Sequence, residues 1–378
     1  MKKKVLSMLL CVTIVMSMVA GCGSKKEEPA SAPAAEEPAE APEEAKEEPK
    51  ADAPEGDAAE NSGNFELKKG DYVIGLSNSY FGNTWRKQMV DAFTNAAEAA
   101  KEAGYIADYE IQNGDSTVNA QIAQINSFIL SGVDAICICA ASPTALNSTI
   151  QKALDAGITV VAFDSIVDLA GVYTMDYPWA QIGKDSTDYV AEKLGGKGNV
   201  IVVRGVSGAA PDQGIYSGIE EAMKDYPDLN IVAEVIGEAS ATKTQEELIK
   251  ILPSLPEVDA VITHCGGDAI GAVNAFEQSG REMPIIIGDN TGEFIQWWGT
   301  QDGYETLSQG STPGCGGAAL WTALAVLNGY DVPEEMMLGV PQITVDNFDE
   351  YKDLEVGSFV SPDFTFDYVK EEIIDAAK

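Results

Sequence analysis

Residues 158–163 read ITVVAF, and Asp164 and Ser165 follow at once. Apolarity that is continuous rather than alternating marks a strand covered on both faces, the condition of strands in a parallel sheet. A helical stretch around 145–156 precedes it, with Gly157 as the break. The same unit, a β-rich run, a polar or Gly-containing turn and then a helical stretch, recurs from residue 65 onward. YVIGL (72–76) leads to a helix around 86–103, ADYEIQ (107–112) to one around 118–130, and DAICICA (134–140) to the one around 145–156. A second series pairs NVIVVRG (199–205) with 216–224, NIVAEVI (230–236) with 244–252, DAVITHC (259–265) with 269–278, and PIIIGD (284–289) with 294–298. Alternation of this kind predicts an α/β protein of two doubly wound parallel-sheet domains. With 378 residues, 45% of them hydrophobic, the chain is long enough for two cores.

Ligands of such sheets lie outside the carboxyl ends of the strands. Those ends carry polar residues here: Ser77 and Asn78, Asn113 and Asp115, Ser142, Asp164 and Ser165, Arg204 and Ser207, Asp268, and Asp289 with Asn290. The first strand runs into SNSYFGNTWR (77–86), which packs Asn78, Tyr80, Phe81, Asn83, Trp85 and Arg86 into nine residues. Two such edges facing each other line a cleft. Asp, Asn and Arg pair with sugar hydroxyls, each of which costs roughly 1–3 kcal/mol if buried unpaired, and aromatic rings cover the C–H face of the sugar. Enzyme signatures are missing. GVSGA (205–209) lacks the final Gly of a nucleophile elbow, GGKG (195–198) precedes a strand instead of following one, and there is no P-loop. Asp164 and Asp289 end strands in opposing domains, where a separation that changes with cleft opening suits gripping better than glycosidase chemistry. A single His and no CxxC spacing leave no metal site, and no cofactor is expected.

The formal charge of −36 argues against nucleic acid and against a domain lying flat on anionic lipid. Residues 1–21 read as a signal segment: Lys2, Lys3 and Lys4, then an apolar run from Val5 to Val19 that is too short to span a bilayer. VAGC (19–22) resembles a bacterial lipobox, which implies a diacylglycerol thioether on Cys22 and a mature chain starting there. Residues 22–65 are a Pro/Ala/Glu tether that cannot offset its own ordering entropy. Residues 24–63 hold 13 acids against four lysines and the signal adds three lysines, so −30 of the −36 stays with the folded body. Cys137 and Cys139 alternate on one face of a strand as small hydrophobes, while Cys265 and Cys315 are left open as a pair or as free thiols.

IGLSNSYFGNTWR (74–86), QNGDSTVNAQIAQINSFILSGVDAI (112–136), AGITVVAFDS (156–165), PIIIGDN (284–290) and TLSQ (306–309) resemble, in this order, the sugar-binding proteins of ABC importers of the ribose/galactose type, whose fold is the type I periplasmic binding protein. The resemblance covers 71–378. It implies that Asn78, Tyr80 and Phe81 at the first strand, Asp164 at the fourth, Asp289, and Gln309 in the hinge meet the ligand. Ser165 replaces the Arg of ribose binders, Gln213 falls near a second Arg and Cys265 near an Asn, with Arg86 a candidate for the lost positive charge. Asn83, Trp85, Asp115 and Asn290 complete the candidate site. The implied ligand is a monosaccharide, a pentose or hexose including furanose forms, or a polyol. Crossings near Met175, Gln309 and Gln342 give a three-segment hinge, a first lobe of 66–175 plus 310–342 and a second of 176–309 plus 343–378. The implied partners are an ABC permease with a separate ATPase subunit, and the implied state is a lipid-anchored monomer on the extracytoplasmic face. A nucleoside-binding lipoprotein or a ligand sensor of the same fold are the alternatives, whereas a repressor relative would carry a helix-turn-helix where the lipobox stands.

Overall fold

The computed structural model describes residues 65–378. The signal segment, Cys22 and the tether up to residue 64 lie outside the described residues. The first series comprises β1 (Tyr72–Asn78), α1 (Thr84–Ala103), β2 (Ile106–Asn113), α2 (Val118–Ser131), β3 (Ala135–Cys139), α3 (Asn147–Asp155), β4 (Thr159–Phe163) and β5 (Tyr173–Asp176). The second comprises α4 (Trp179–Leu194), β6 (Lys197–Arg204), α5 (Ala210–Ala222), β7 (Asp228–Ile236), α6 (Ala241–Ile251), β8 (Ala260–Thr263), α7 (Asp268–Ser279), β9 (Ile285–Ile286) and α8 (Gly292–Gly299). After them come β10 (Ser308–Gln309), α9 (Cys315–Leu327), β11 (Glu335–Met337) and β12 (Gln342–Ile343).

The strands form two parallel sheets, β11-β5-β4-β3-β1-β2 and β7-β6-β8-β9, and a two-stranded antiparallel pair, β10-β12. Each sheet reverses its winding direction beside its first strand, β1 or β6, and that reversal is where a doubly wound sheet opens a crevice. The ITVVAF stretch behaves as its composition requires. Val160 and Ala162 pack with Ile150 and Ala153 of α3, while Val161 and Phe163 pack on the other side with Leu320 and Ala323 of α9. Full burial of a Val or Phe side chain contributes about 1.5–3 kcal/mol. Helix α9 is apolar around its whole circumference and almost entirely buried, as such a helix must be.

The chain passes between the lobes after β5, after β10 and before β12, and once more between Val360 and Ser361. Segment 343–360 stays with the second lobe, where Phe348 packs 4.5 Å from Trp298. Residues 361–378 do not: Phe366 lies against Trp321 of α9, the Tyr330 hydroxyl donates to Asp375 at 2.6 Å, and Val369, Ile373 and Ile374 are buried. The assignment of all of 343–378 to the second lobe is therefore corrected, because the apolar side chains near the C-terminus are covered only by the first. Phe65, placed at the end of the tether, belongs to the folded body, with its ring 4.4 Å from that of Tyr330. Cys137, Cys139, Cys265 and Cys315 are all free thiols, so the second pair forms no bridge. Among the described residues no helix is long and apolar enough to cross a membrane.

Candidate functional site

The carboxyl ends of β1 and β4 build one wall. Asn83 caps α1, its side chain accepting from the Arg86 backbone N–H at 2.8 Å, and this sets the first helical turn so that Arg86 reaches back over the sheet edge. The guanidinium donates to Asn78 Oδ1 at 3.3 Å, touches Cys139 Sγ, and lies 3.8 Å from Asp164 Oδ2. Asp164 is 4% exposed and adopts φ 59, left-handed for a non-Gly residue, with Ser165 and Cys139 donating to it at 3.4 and 3.5 Å. Burial pushes its carboxyl above the usual range, against the pull of Arg86. Trp85 spends its indole N–H on the carbonyl of Ser311, in the second crossing, at 3.2 Å.

The facing wall comes from the second lobe. Arg204, ending β6, grips Asp212 with two bonds, Nε to Oδ1 at 2.9 Å and Nη2 to Oδ2 at 2.7 Å. The Gly205 N–H donates to Asp212 Oδ1 at 3.0 Å, and His264 Nδ1 lies 3.1 Å from the same oxygen. Burial alone would raise Asp212, but His264 and Arg204 outweigh it and hold the carboxyl at about 2. Burial lowers His264, against the pull of Asp212, and its Nε2 is buried without a partner. Arg204 in turn stacks 3.8 Å from the centre of the Tyr216 ring. Trp179, on the far side of the first crossing, donates its indole N–H to Asp176 at 2.7 Å, and burial pushes that carboxyl up to about 6.

Between these walls lies a cavity of about 60 Å³ that brings together Asn83, Trp85, Arg86 and Asp164 with Trp179 and Asp212. Two indoles, a guanidinium and two carboxylates meet there. Both indole N–H groups are already used by protein partners, so what the rings offer a ligand is their surface. Asn78 stands behind Arg86, its amide committed to Asn113 at 2.8 Å. Tyr80 lines a neighbouring cavity, and Phe81 is 40% exposed outside both.

The other expected ligand residues have structural work. Asp115 accepts from the Thr117 N–H and hydroxyl at 3.1 and 2.6 Å, at the start of α2. Gln213 is exposed and donates to the Gly208 carbonyl at 3.0 Å, and its neighbour Asp212 takes the cleft position instead. Asn290 is a hinge knot: its side chain bonds Ser308 and the Pro341 carbonyl, and its own carbonyl accepts from Val360. Gln309 likewise donates to the Ile182 carbonyl and Ser186 and accepts from Gln342. Asp289 accepts from the Gly267 and Ala269 N–H groups at 2.7 and 3.2 Å, supplying the cap that Gly267 cannot give α7. Asp289→Ala accordingly lowers stability by about 2 kcal/mol in urea unfolding and leaves ligand affinity within about twofold. A large loss of affinity in the still-folded variant would return Asp289 to the site.

Sequence reasoning missed Trp179, Arg204 as the grip on Asp212, Asp212 itself and His264. The signals were present: Arg204 and His264 end strands of the second series, and Trp179 stands four residues beyond the crossing at Met175. Among the described residues no group of acids, His and Cys is arranged to hold a metal.

A family model described as a periplasmic binding protein domain matches residues 74–331. The chain is 26% identical over 249 residues to the xylitol-binding protein of Mycolicibacterium smegmatis, covering 63% of this chain and 68% of that protein. It is 26% identical over 276 residues to the galactofuranose-binding protein of Escherichia coli, covering 70% and 85%. Among solved structures, an ABC transporter solute binding protein from Thermobispora bispora aligns with a TM-score of 0.76 and 34% identity over 81% of this chain and 96% of that one.

Proposed function

Since the chain belongs to the periplasmic binding protein domain family, we propose that it is an extracytoplasmic solute-binding protein that captures a sugar between its lobes and delivers it to an ABC permease. It is a binding protein and not an enzyme. The ligand is a monosaccharide, a pentose or hexose including furanose forms, or a polyol. One observation carries this reading: Trp85 and Trp179 enter one cavity from opposing lobes, beside Arg86, Asp164 and Asp212. Ring surface takes the C–H face of a sugar, and the charged groups take its hydroxyls. A ligand touching both walls favours the state in which the walls approach, and contributes that difference in affinity to closure. The closed face then docks on the permease, with energy from a separate ATPase subunit.

The VAGC motif supports lipidation of Cys22. Two acyl chains, at about 0.8 kcal/mol per buried methylene, hold a protein that one chain would release. The acidic tether then lifts a monomeric body off the membrane. Cys22→Ala releases the protein from the membrane fraction on this reading, and unchanged membrane retention contradicts it. For the ligand, isothermal titration against free pentoses, hexoses and polyols gives at least one compound binding at one site per chain. Absence of binding throughout the panel contradicts a sugar-type ligand.

A further inference from the structure

Outside the cleft, a cavity of about 440 Å³ opens on the first lobe, between α1, the start of α9 and the segment that follows the last crossing. It shares no lining residue with the cavity between the two indoles. Its volume falls within the roughly 300–1,000 Å³ of small-molecule sites and is well above the about 150 Å³ that holds a benzene ring. Small residues make the room. Ala92, Ala96 and Ala99 present methyl groups along one face of α1, and Gly314 and Gly317 at the start of α9 present none. The Gly314 position is closed to anything larger, since a Cβ there would lie 2.4 Å from the Phe364 ring and from Ser361 Oγ.

Trp321 forms one wall of this cavity and is 7% exposed. A buried indole N–H nearly always finds an acceptor, and four of the five Trp residues follow the rule. Trp85 donates to the Ser311 carbonyl, Trp179 to Asp176, Trp297 to Glu277 and Trp298 to the Tyr304 carbonyl, at 2.7–3.2 Å. Trp321 has no acceptor among the described residues. Nor is its nitrogen sealed in the core, as the orphaned Nε2 of His264 is, so the free N–H opens on the cavity. Phe364 supplies a second ring, and Asp91 and Asp363 stand exposed at the rim. Among the described residues no Lys or Arg lines the cavity, so its field is negative. Carboxylates and ring faces together attract a cation.

We propose that this cavity is a second binding site, for a small organic cation: a protonated amine on an apolar body that also carries one hydrogen-bond acceptor. The body rests on the Ala and Gly floor between the two rings, the acceptor takes the Trp321 N–H, and the ammonium faces Asp91 and Asp363. An anion gains one N–H there and meets two carboxylates. The site stands apart from the sugar reading and does not depend on it. The test is titration of the full chain with L-phenylalaninamide, which has amine, ring and carbonyl, with phenethylamine, which lacks the acceptor, and with phenylacetate, which replaces the amine by an anion. Phenylalaninamide binds at one site per chain, and phenylacetate binds about tenfold or more weaker. Trp321→Phe keeps a ring and removes the N–H; it weakens phenylalaninamide by about threefold to tenfold, as one lost hydrogen bond does, and leaves phenethylamine within about twofold. Asp91→Asn combined with Asp363→Asn, both exposed, weakens the two amines alike by about twofold to fivefold. Thermal melts establish that the variants fold. No saturable binding of either amine, phenylacetate binding as tightly as they do, or phenylalaninamide insensitive to either set of substitutions overturns the inference and leaves the sugar reading intact.

Discussion

Arg86→Ala weakens the captured sugar by about a hundredfold, the roughly 3 kcal/mol expected when one partner of a buried charge pair is removed. The guanidinium is 12% exposed and bridges Asn78, Cys139 and Asp164, so its loss strands an acid as well as removing a donor to the ligand. The stability of the variant carries a signature of that acid. Asp164 already has a folded-state pKa above its ordinary value because of burial, and Arg86 is what pulls it back. A carboxyl whose folded pKa is raised contributes its stability below the unfolded pKa and loses it as pH rises through the folded one, so Arg86→Ala destabilises more at about pH 8 than at about pH 4. Urea midpoints at the two pH values measure this. An affinity within about threefold of the parent, with no pH-dependent difference in stability, would remove Arg86 and Asp164 from the site.

Asp212→Asn acts on the opposite wall and in the opposite pH direction. The carboxyl is held at about 2 by His264 and Arg204, below its unfolded value near 3.9. Its stabilisation, roughly 1–2 kcal/mol, is present above about pH 4 and is lost as pH falls toward about 2. The variant lacks that acid-side loss and is weaker at neutral pH. Because the bidentate grip of Arg204 is broken and the cleft loses a charged acceptor, sugar affinity also drops by about tenfold or more. The sequence contains a single His, so one imidazole resonance reports the network without assignment. In the parent it titrates below about 6.5, since burial disfavours the cation. In Asp212→Asn the midpoint falls further, because Asp212 is the partner that raises it. A parent midpoint at or above 6.5, or no response to the substitution, would contradict the arrangement.

Much of the fold was legible because parallel strands covered on both faces leave continuous apolar runs, and ITVVAF, PIIIGD and NVIVVRG have no competing reading. The first wall was legible for a related reason. Six amide, aromatic and guanidinium side chains clustered directly after a strand have few uses, and Asn83, Trp85, Arg86 and Asp164 do meet in one cavity. The remainder could not be read locally. Asp289 and Asn290 end a strand just as Asp164 and Ser165 do, yet one caps α7 and the other ties three crossings together. What separates them is which helix or crossing lies opposite, a tertiary fact. Gln213 and Asp212 differ by one helical position, and only the packing of α5 decides that Asp212 turns inward. Trp179 enters the cleft because the chain crosses between lobes four residues earlier, near Met175, and a crossing leaves no compositional mark. The same holds at Val360, where a stretch of ordinary polarity hides the return of the chain to the first lobe.

Hydrogen–deuterium exchange of the full chain, free and saturated with the tightest compound from the titration panel, tests most directly whether one ligand is held by both lobes. Protection is expected together at 83–86 and 164–165 on one side and at 179, 205–212 and 265–266 on the other. Protection confined to either lobe alone would contradict capture between them.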